Sequence, residues 1–290
     1  MPSITTPDLD QHYEEWGRTD GKAILLLHGW PDDASTWAPI AQALADAGNR
    51  VITPTWRGFG QSFFVHDGVP RHGNTALLAI DMIALLDALG IEQCAVAGHD
   101  WGSNVAEALT VGWPARVERL AMLSTPPRLG GMPTPSFEQA QRYWYHWFMA
   151  TPRGEEAIRR DRHGFAHLHW INWAPKGWFD EETFARVAQS FDNPDWVDVT
   201  LHSYRTRWGS ADPDPRSVWL EDKVKVTKTI HHPSLFIKGD EDGVTCQQSF
   251  EPVPSKFDGP FDMIGLPGVG HFPTREATAK IADLLLHFFS

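Results

Sequence analysis

Residues 97–103 read Ala-Gly-His-Asp-Trp-Gly-Ser and put Asp100 at the centre of a small-x-Asp-x-small turn. The short apolar run before the turn and the helix-like spacing of residues 105–109 after it predict a strand-to-helix junction. Gly98 and Gly102 permit a tight, strained bend that pushes the central side chain out at the carboxyl edge of a sheet, against a helix N-terminus. That is the position of an exposed nucleophile. A carboxylate with an ordinary pKa of about 4 is already anionic at neutral pH and needs no base to activate it. Its attack on an ester carbonyl would give an anhydride and gain little, whereas attack on a saturated carbon bearing a leaving group gives a stable alkyl ester. The turn therefore predicts an alkylating electrophile as substrate. The plain alternative is an Asp that only caps a helix.

Other elements must hold this turn and supply its partners. Short runs apolar on both faces predict strands at 22–27, 50–54, 93–97 and 117–123, with helices at 36–47 and 75–89 between them, the second closed by Gly90. After Ser124 the pattern changes. Residues 125–135, "TPPRLGGMPTP", are rich in Pro and Gly, and 137–226 have helical spacing with many Trp, His and Phe and no convincing strand. Strand patterns return at 234–238 and 261–266, and an amphipathic helix closes the chain at 273–289. The sequence thus predicts one α/β domain, a mostly parallel central sheet flanked by helices, built from residues 1–128 and 229–290. An α-helical cap, 129–228, is inserted into it.

Four further motifs follow predicted strands: His28-Gly29-Trp30-Pro31, residues 56–62 "WRGFGQS", Asp242 in "KGDEDGV" and His271 in "GVGHFP". With the Asp100 turn they resemble the α/β-hydrolase superfamily, in particular epoxide hydrolases, over nearly the whole chain. Thr55 departs from the Asp that many members carry before the Arg-Gly-x-Gly loop, which is read as structural. The resemblance implies that Asp100 is the nucleophile, His271 the base that activates water against the ester, and Asp242 the partner that orients His271. It also implies that the backbone amides of Trp30 and Trp101 hold the developing oxyanion, their indoles mattering less.

The leaving group divides the relatives. A ring-opened epoxide wants an O–H donor, and epoxide hydrolases of this fold carry one cap tyrosine several residues before a proline and a second in a Tyr-Arg pair. Tyr145, seven residues before Pro152, and Tyr204, followed by Arg205, fit those positions, with Tyr143 the alternative to Tyr145 and His146 their neighbour. Fluoroacetate-type dehalogenases place a histidine where Tyr145 stands and arginines just after the nucleophile, where this chain has Trp101 and Asn104; a neutral, hydrophobic epoxide is the expected substrate. A haloalkane or haloacid dehalogenase is the second reading, with Trp101 at a halide-ligand position. A non-catalytic ligand-binding module is the third, disfavoured by the complete triad.

Composition narrows the rest. With 37 Asp and Glu against 25 Lys and Arg, a formal charge of -12 disfavours nucleic acid. Cys94 and Cys246 form neither a metal pair nor a disulfide framework, and no secretory or bilayer-spanning segment is read, so a cytoplasmic, reducing location with no membrane partner is expected. A homodimer is left open. No cofactor is expected, because no glycine-rich nucleotide loop is present. No metal is expected either: His163, His167 and His169 are read as a polar cap face, and Asp240-x-Asp242-Gly243 lacks the later ligands of a calcium loop.

Overall fold

The computed structural model describes residues 2–290. Its sheet has nine strands: β1 (Ser3–Thr5), β2 (Leu9–Gly17), β3 (Ala23–Leu27), β4 (Arg50–Pro54), β5 (Phe63–Phe64), β6 (Cys94–His99), β7 (Val117–Leu123), β8 (Ser234–Gly239) and β9 (Phe261–Leu266). Their order is β1-β2-β4-β3-β6-β7-β8-β9, with β5 paired to β2. From β4 to β9 every pairing is parallel; β2 joins β1, β4 and β5 antiparallel. The sequence reading missed β1, β2 and β5. β2 carries "LDQHYEEWG", with three carboxylates, at the antiparallel side of the sheet, where no run apolar on both faces is required.

Alternation along the parallel strands divides the core. Leu25, Leu27, Val96, Leu120 and Met122 face one layer, and Ile24, Leu26, Ala97, Ala121 and Leu123 the other. The first face packs on the helices Thr75–Ala88 and Trp101–Gly112, the second on Ala38–Asp46 and Thr278–Phe289. Helix Thr75–Ala88 stops before Gly90, whose φ of 66° is the left-handed turn glycine accepts without strain. Two predicted helices are less regular. Residues 34–37 form a 3-10 turn ahead of Ala38–Asp46, and the closing helix breaks at Ala277 into Pro273–Glu276 and Thr278–Phe289.

Between β7 and β8 the chain makes seven α-helices, Phe137–Arg142 through Val218–Val226, and no strand. They lie over the face that bears Trp30 and Trp101. The loop after β4 ties the core together. Arg57 is fully buried and donates two 2.6 Å bonds to Asp81 and one of 3.1 Å to Asp8. Removing Asp81 from its buried pair with Arg57 costs about 3–5 kcal/mol, a structural duty that does not need the Asp missing at Thr55.

Candidate active site

Asp100 sits between β6 and helix Trp101–Gly112 with φ 53° and ψ -111°, a strained conformation for a residue with a side chain. Crowding explains the glycines around it. A Cβ on Gly98 would strike the Gly102 carbonyl, one on Gly102 would strike the Leu27 carbonyl, and one on Gly29 would lie 2.6 Å from Asp100 Cβ. Three backbone segments meet here too closely for side chains. The bend is pinned by Asp100 N–H donating to Leu123 O (3.2 Å) and Gly102 N–H to His28 O (3.1 Å).

The loops beyond β3, β6, β8 and β9 bring the predicted polar groups together at the carboxyl edge of the sheet. Asp100 Oδ1 accepts from the Trp30 amide at 2.9 Å. The Trp101 amide makes no bond to that carboxylate. His271 Nε2 stands 3.4 Å from Asp100 Oδ2, an ion-pair contact too poorly aligned to count as a hydrogen bond. The other ring nitrogen, Nδ1, is 2.8 Å from Asp242 Oδ2, while Asp242 Oδ1 accepts from the Val244 and Thr245 amides at 2.7 and 2.9 Å. Two amides on one oxygen leave the other facing the imidazole.

The charges follow from these contacts. Burial opposes charge on His271, yet Asp242 on one side and Asp100 on the other outweigh it and lift its pKa to about 10. Burial likewise opposes the Asp100 carboxylate, but His271, His99 and the Trp30 amide hold its pKa down to about 2. The resting pair is therefore an imidazolium beside a carboxylate. Below it, His99 Nε2 is 2.6 Å from His271 O, and burial lowers the pKa of that ring.

One residue the sequence reading passed over positions His271. Glu276 accepts from the amides on both sides of it, Gly270 at 2.6 Å and Phe272 at 2.8 Å. An acidic residue five places after a histidine carries no signal of such a clamp, because it arises from the short helix that starts at Pro273.

The tyrosines meet across the helical layer. Tyr145 and Tyr204 are buried with ring centroids 5.4 Å apart, Tyr145 stacks on Trp30 at 6.0 Å, and Tyr204 receives a 3.2 Å bond from Trp101 Nε1. The Trp101 indole thus orients a phenol, a contact the sequence reading did not foresee. Burial keeps both phenols protonated, far above the usual tyrosine range. Tyr143 stacks instead on His146 at 4.4 Å, and His146 lies against both Tyr145 and Tyr204.

A cavity of about 400 Å³ is lined by Asp100 and Tyr145; His271 and Tyr204 are buried and do not line it. Arg128 and Arg207 also line it, and neither was singled out from the sequence. The three cap histidines diverge. His163 pairs with Asp192 and His167 with Glu181, but His169 is buried against Trp30 and Tyr145, so the expected polar face does not extend to it. Asp240 is bonded to Lys238, and Asp242 is turned to His271. No helix among the described residues is long and apolar enough to cross a membrane.

The alpha/beta hydrolase fold family profile matches residues 22–273. The chain is 28% identical to epoxide hydrolase A of Mycobacterium tuberculosis, covering 95% of this chain and 92% of that protein. It is 29% identical to a fluoroacetate dehalogenase of a Burkholderia species, covering 93% and 88%. Among solved structures, a Klebsiella pneumoniae protein provisionally called an epoxide hydrolase is 34% identical, with a TM-score of 0.92 over 99% of this chain and 96% of that one.

Proposed function

The chain belongs to the alpha/beta hydrolase fold family, and we propose that it is an epoxide hydrolase that opens a small epoxide to a vicinal diol through an ester on Asp100. The observation that carries this reading is the tyrosine pair. Tyr145 and Tyr204 stand together over the Asp100 side of the fold, and the Trp101 indole N–H, which a departing halide would want, is engaged by the Tyr204 hydroxyl.

The steps balance. Asp100 Oδ2 attacks a ring carbon, the C–O bond breaks, and a tyrosine donates its proton to the alkoxide. Esterification removes the carboxylate charge that held the proton on His271, so the imidazolium proton returns to the tyrosinate. Neutral His271, held by Asp242, then takes a proton from water, and the resulting hydroxide adds to the ester carbonyl. The Trp30 amide, already on Oδ1, stabilises the oxyanion, and the Trp101 amide is the proposed second donor. Collapse releases the second alkoxide, which takes the proton of the new carboxyl group and leaves carboxylate and imidazolium as before. No cofactor enters the scheme. The helical excursion, 129–228, is proposed as the lid on a core of 1–128 and 229–290.

The second reading, a dehalogenase, is favoured by the Burkholderia relative's name and by the position of Trp101. A panel of styrene-oxide-type epoxides and bromoalkanes, read for diol and for bromide, separates the two. Diol without bromide is expected; bromide without diol would replace the proposal with the second reading.

A further inference from the structure

Two arginines on the cavity wall form no ion pair, although on their other side they line a neighbouring cavity with Glu107 and Glu221. Arg128 lies in the loop after β7, and Arg207 ends helix Trp196–Arg207, the helix that carries Tyr204. Among the described residues neither forms a salt bridge. Nε of Arg207 is buried without a hydrogen-bond partner, and its guanidinium lies 4.3 Å from the centroid of the Tyr204 ring and 5.7 Å from that of Trp101. The Arg128 side chain makes one bond, to Thr75 Oγ1 at 3.2 Å.

The lining is cationic in an acidic protein. Arg128, Arg207 and Lys256 share it with a single carboxylate, Asp100, which is already matched to His271. The chain as a whole carries -12. Behind Arg128 lies Glu107, whose carboxylate is occupied by the Arg128 and Leu129 amides; burial pushes its pKa up to about 7, so it offsets only part of the positive charge. Burial and the nearby Arg207 lower the pKa of Arg128 only to about 10, so it remains a cation at neutral pH. Both guanidiniums are half-buried, and a cation partly withdrawn from water without a partner gains when an anion arrives to meet it. Planar guanidinium forks match a carboxylate in both shape and charge.

We propose that Arg128 and Arg207 form an anion subsite, so that the substrate is an epoxide whose far end carries a carboxylate. This rests on the epoxide reading, and replaces the neutral substrate expected from the residues after the nucleophile. The aromatic wall of Tyr143 and Tyr145 receives the ring end, and the guanidiniums hold the other end away from Asp100.

The test uses a series of terminal epoxy acids of increasing chain length, each against its primary amide, with the wild-type enzyme. At the best length kcat/KM for the acid exceeds that for the amide by about tenfold to a hundredfold, the range expected when a hydrogen-bonded charge finds its partner. Arg207→Gln and Arg128→Gln, separately, collapse that preference mainly through KM, and Arg207→Lys keeps part of it. Equal values for acid and amide overturn the subsite while leaving the epoxide reading intact. A fall in kcat for acid and amide alike in Arg207→Gln also overturns it, because Arg207 would then act on Tyr204 and not on substrate. Calorimetry with the matching saturated acid and amide needs no chemistry. If the acid binds in an Arg207-dependent way but no epoxide is opened, the subsite stands and the epoxide reading falls; if the acid binds no better than the amide, the subsite falls.

Discussion

His271 Nε2 lies 3.4 Å from Asp100 Oδ2, on the side of the ring opposite its 2.8 Å bond to Asp242. Two carboxylates, one at each ring nitrogen, stabilise the imidazolium charge, and the first chemical step removes the charge of one of them. Asp100→Asn imitates that loss. Hydrolysis should stop, and the His271 pKa should fall from about 10 toward the usual histidine range, read by NMR titration of the ring nitrogens. An unchanged His271 pKa would break the link between ester formation and release of the base.

The same pair gives a pH dependence of stability. A pKa raised in the folded state means that the His271 contribution is whole below pH 6.5 and is lost as pH rises through about 10. Asp100, depressed from 3.8, contributes fully above that value and loses its share as pH falls toward about 2. Between pH 7 and pH 10 the wild-type melting temperature should therefore fall more than that of Asp100→Asn. Parallel curves for the two would show that the pair is not coupled in this way.

His271→Gln removes the base while leaving the nucleophile. The alkyl ester should then form and persist, seen as a mass increase of one substrate molecule on intact protein and placed on Asp100 by peptide mapping. An enzyme that turns over epoxide without an adduct would instead deliver water directly to the ring.

The elements that carry these predictions were unequally legible. β7 has the bounds read from its apolar run and β8 lies within a residue of its own, because strands covered on both faces leave a continuous hydrophobic signal; β9, an edge strand, also has its expected bounds although only Leu266 is buried. Asp100, Asp242 and His271 follow strand ends and carry local motifs. Arg128 and Arg207 carry none: one lies in a Pro-rich loop and the other at a helix end, and only the way the helical layer folds over the sheet brings them to one cavity. The bond from Trp101 Nε1 to Tyr204 spans 103 residues for the same reason.

That bond makes the tyrosines separable. Tyr145→Phe and Tyr204→Phe should each lower kcat by about 10²–10⁴, the usual worth of a positioned acid, and the double variant should be inactive toward epoxides. Trp101→Phe removes the indole N–H that orients Tyr204 but leaves both phenols, so it should lower kcat by about tenfold, the worth of one net hydrogen bond, with Tyr145 still acting. Stopped-flow measurement of ester formation reads the step directly. Full activity in Tyr204→Phe would leave the Trp101 indole free to serve a halide.

The elbow itself should be intolerant of any added Cβ. At Gly102 the new methyl would meet the Leu27 carbonyl, which belongs to the neighbouring strand and cannot retreat without breaking the β3–β6 ladder that pairs Leu27 with Gly98. Gly102→Ala should therefore destabilise the fold by about 1–3 kcal/mol or more, the cost of overpacking. Gly48→Ala is the comparison, since nothing lies within 4 Å of a Cβ there and the cost comes only from its φ of 95°. Denaturant titration should show Gly102→Ala as the more damaging of the two, with the activity that remains reduced further because Asp100 shifts with its turn. Equal losses would mean that the backbone around Asp100 relaxes freely, and that its strained conformation is not imposed by packing.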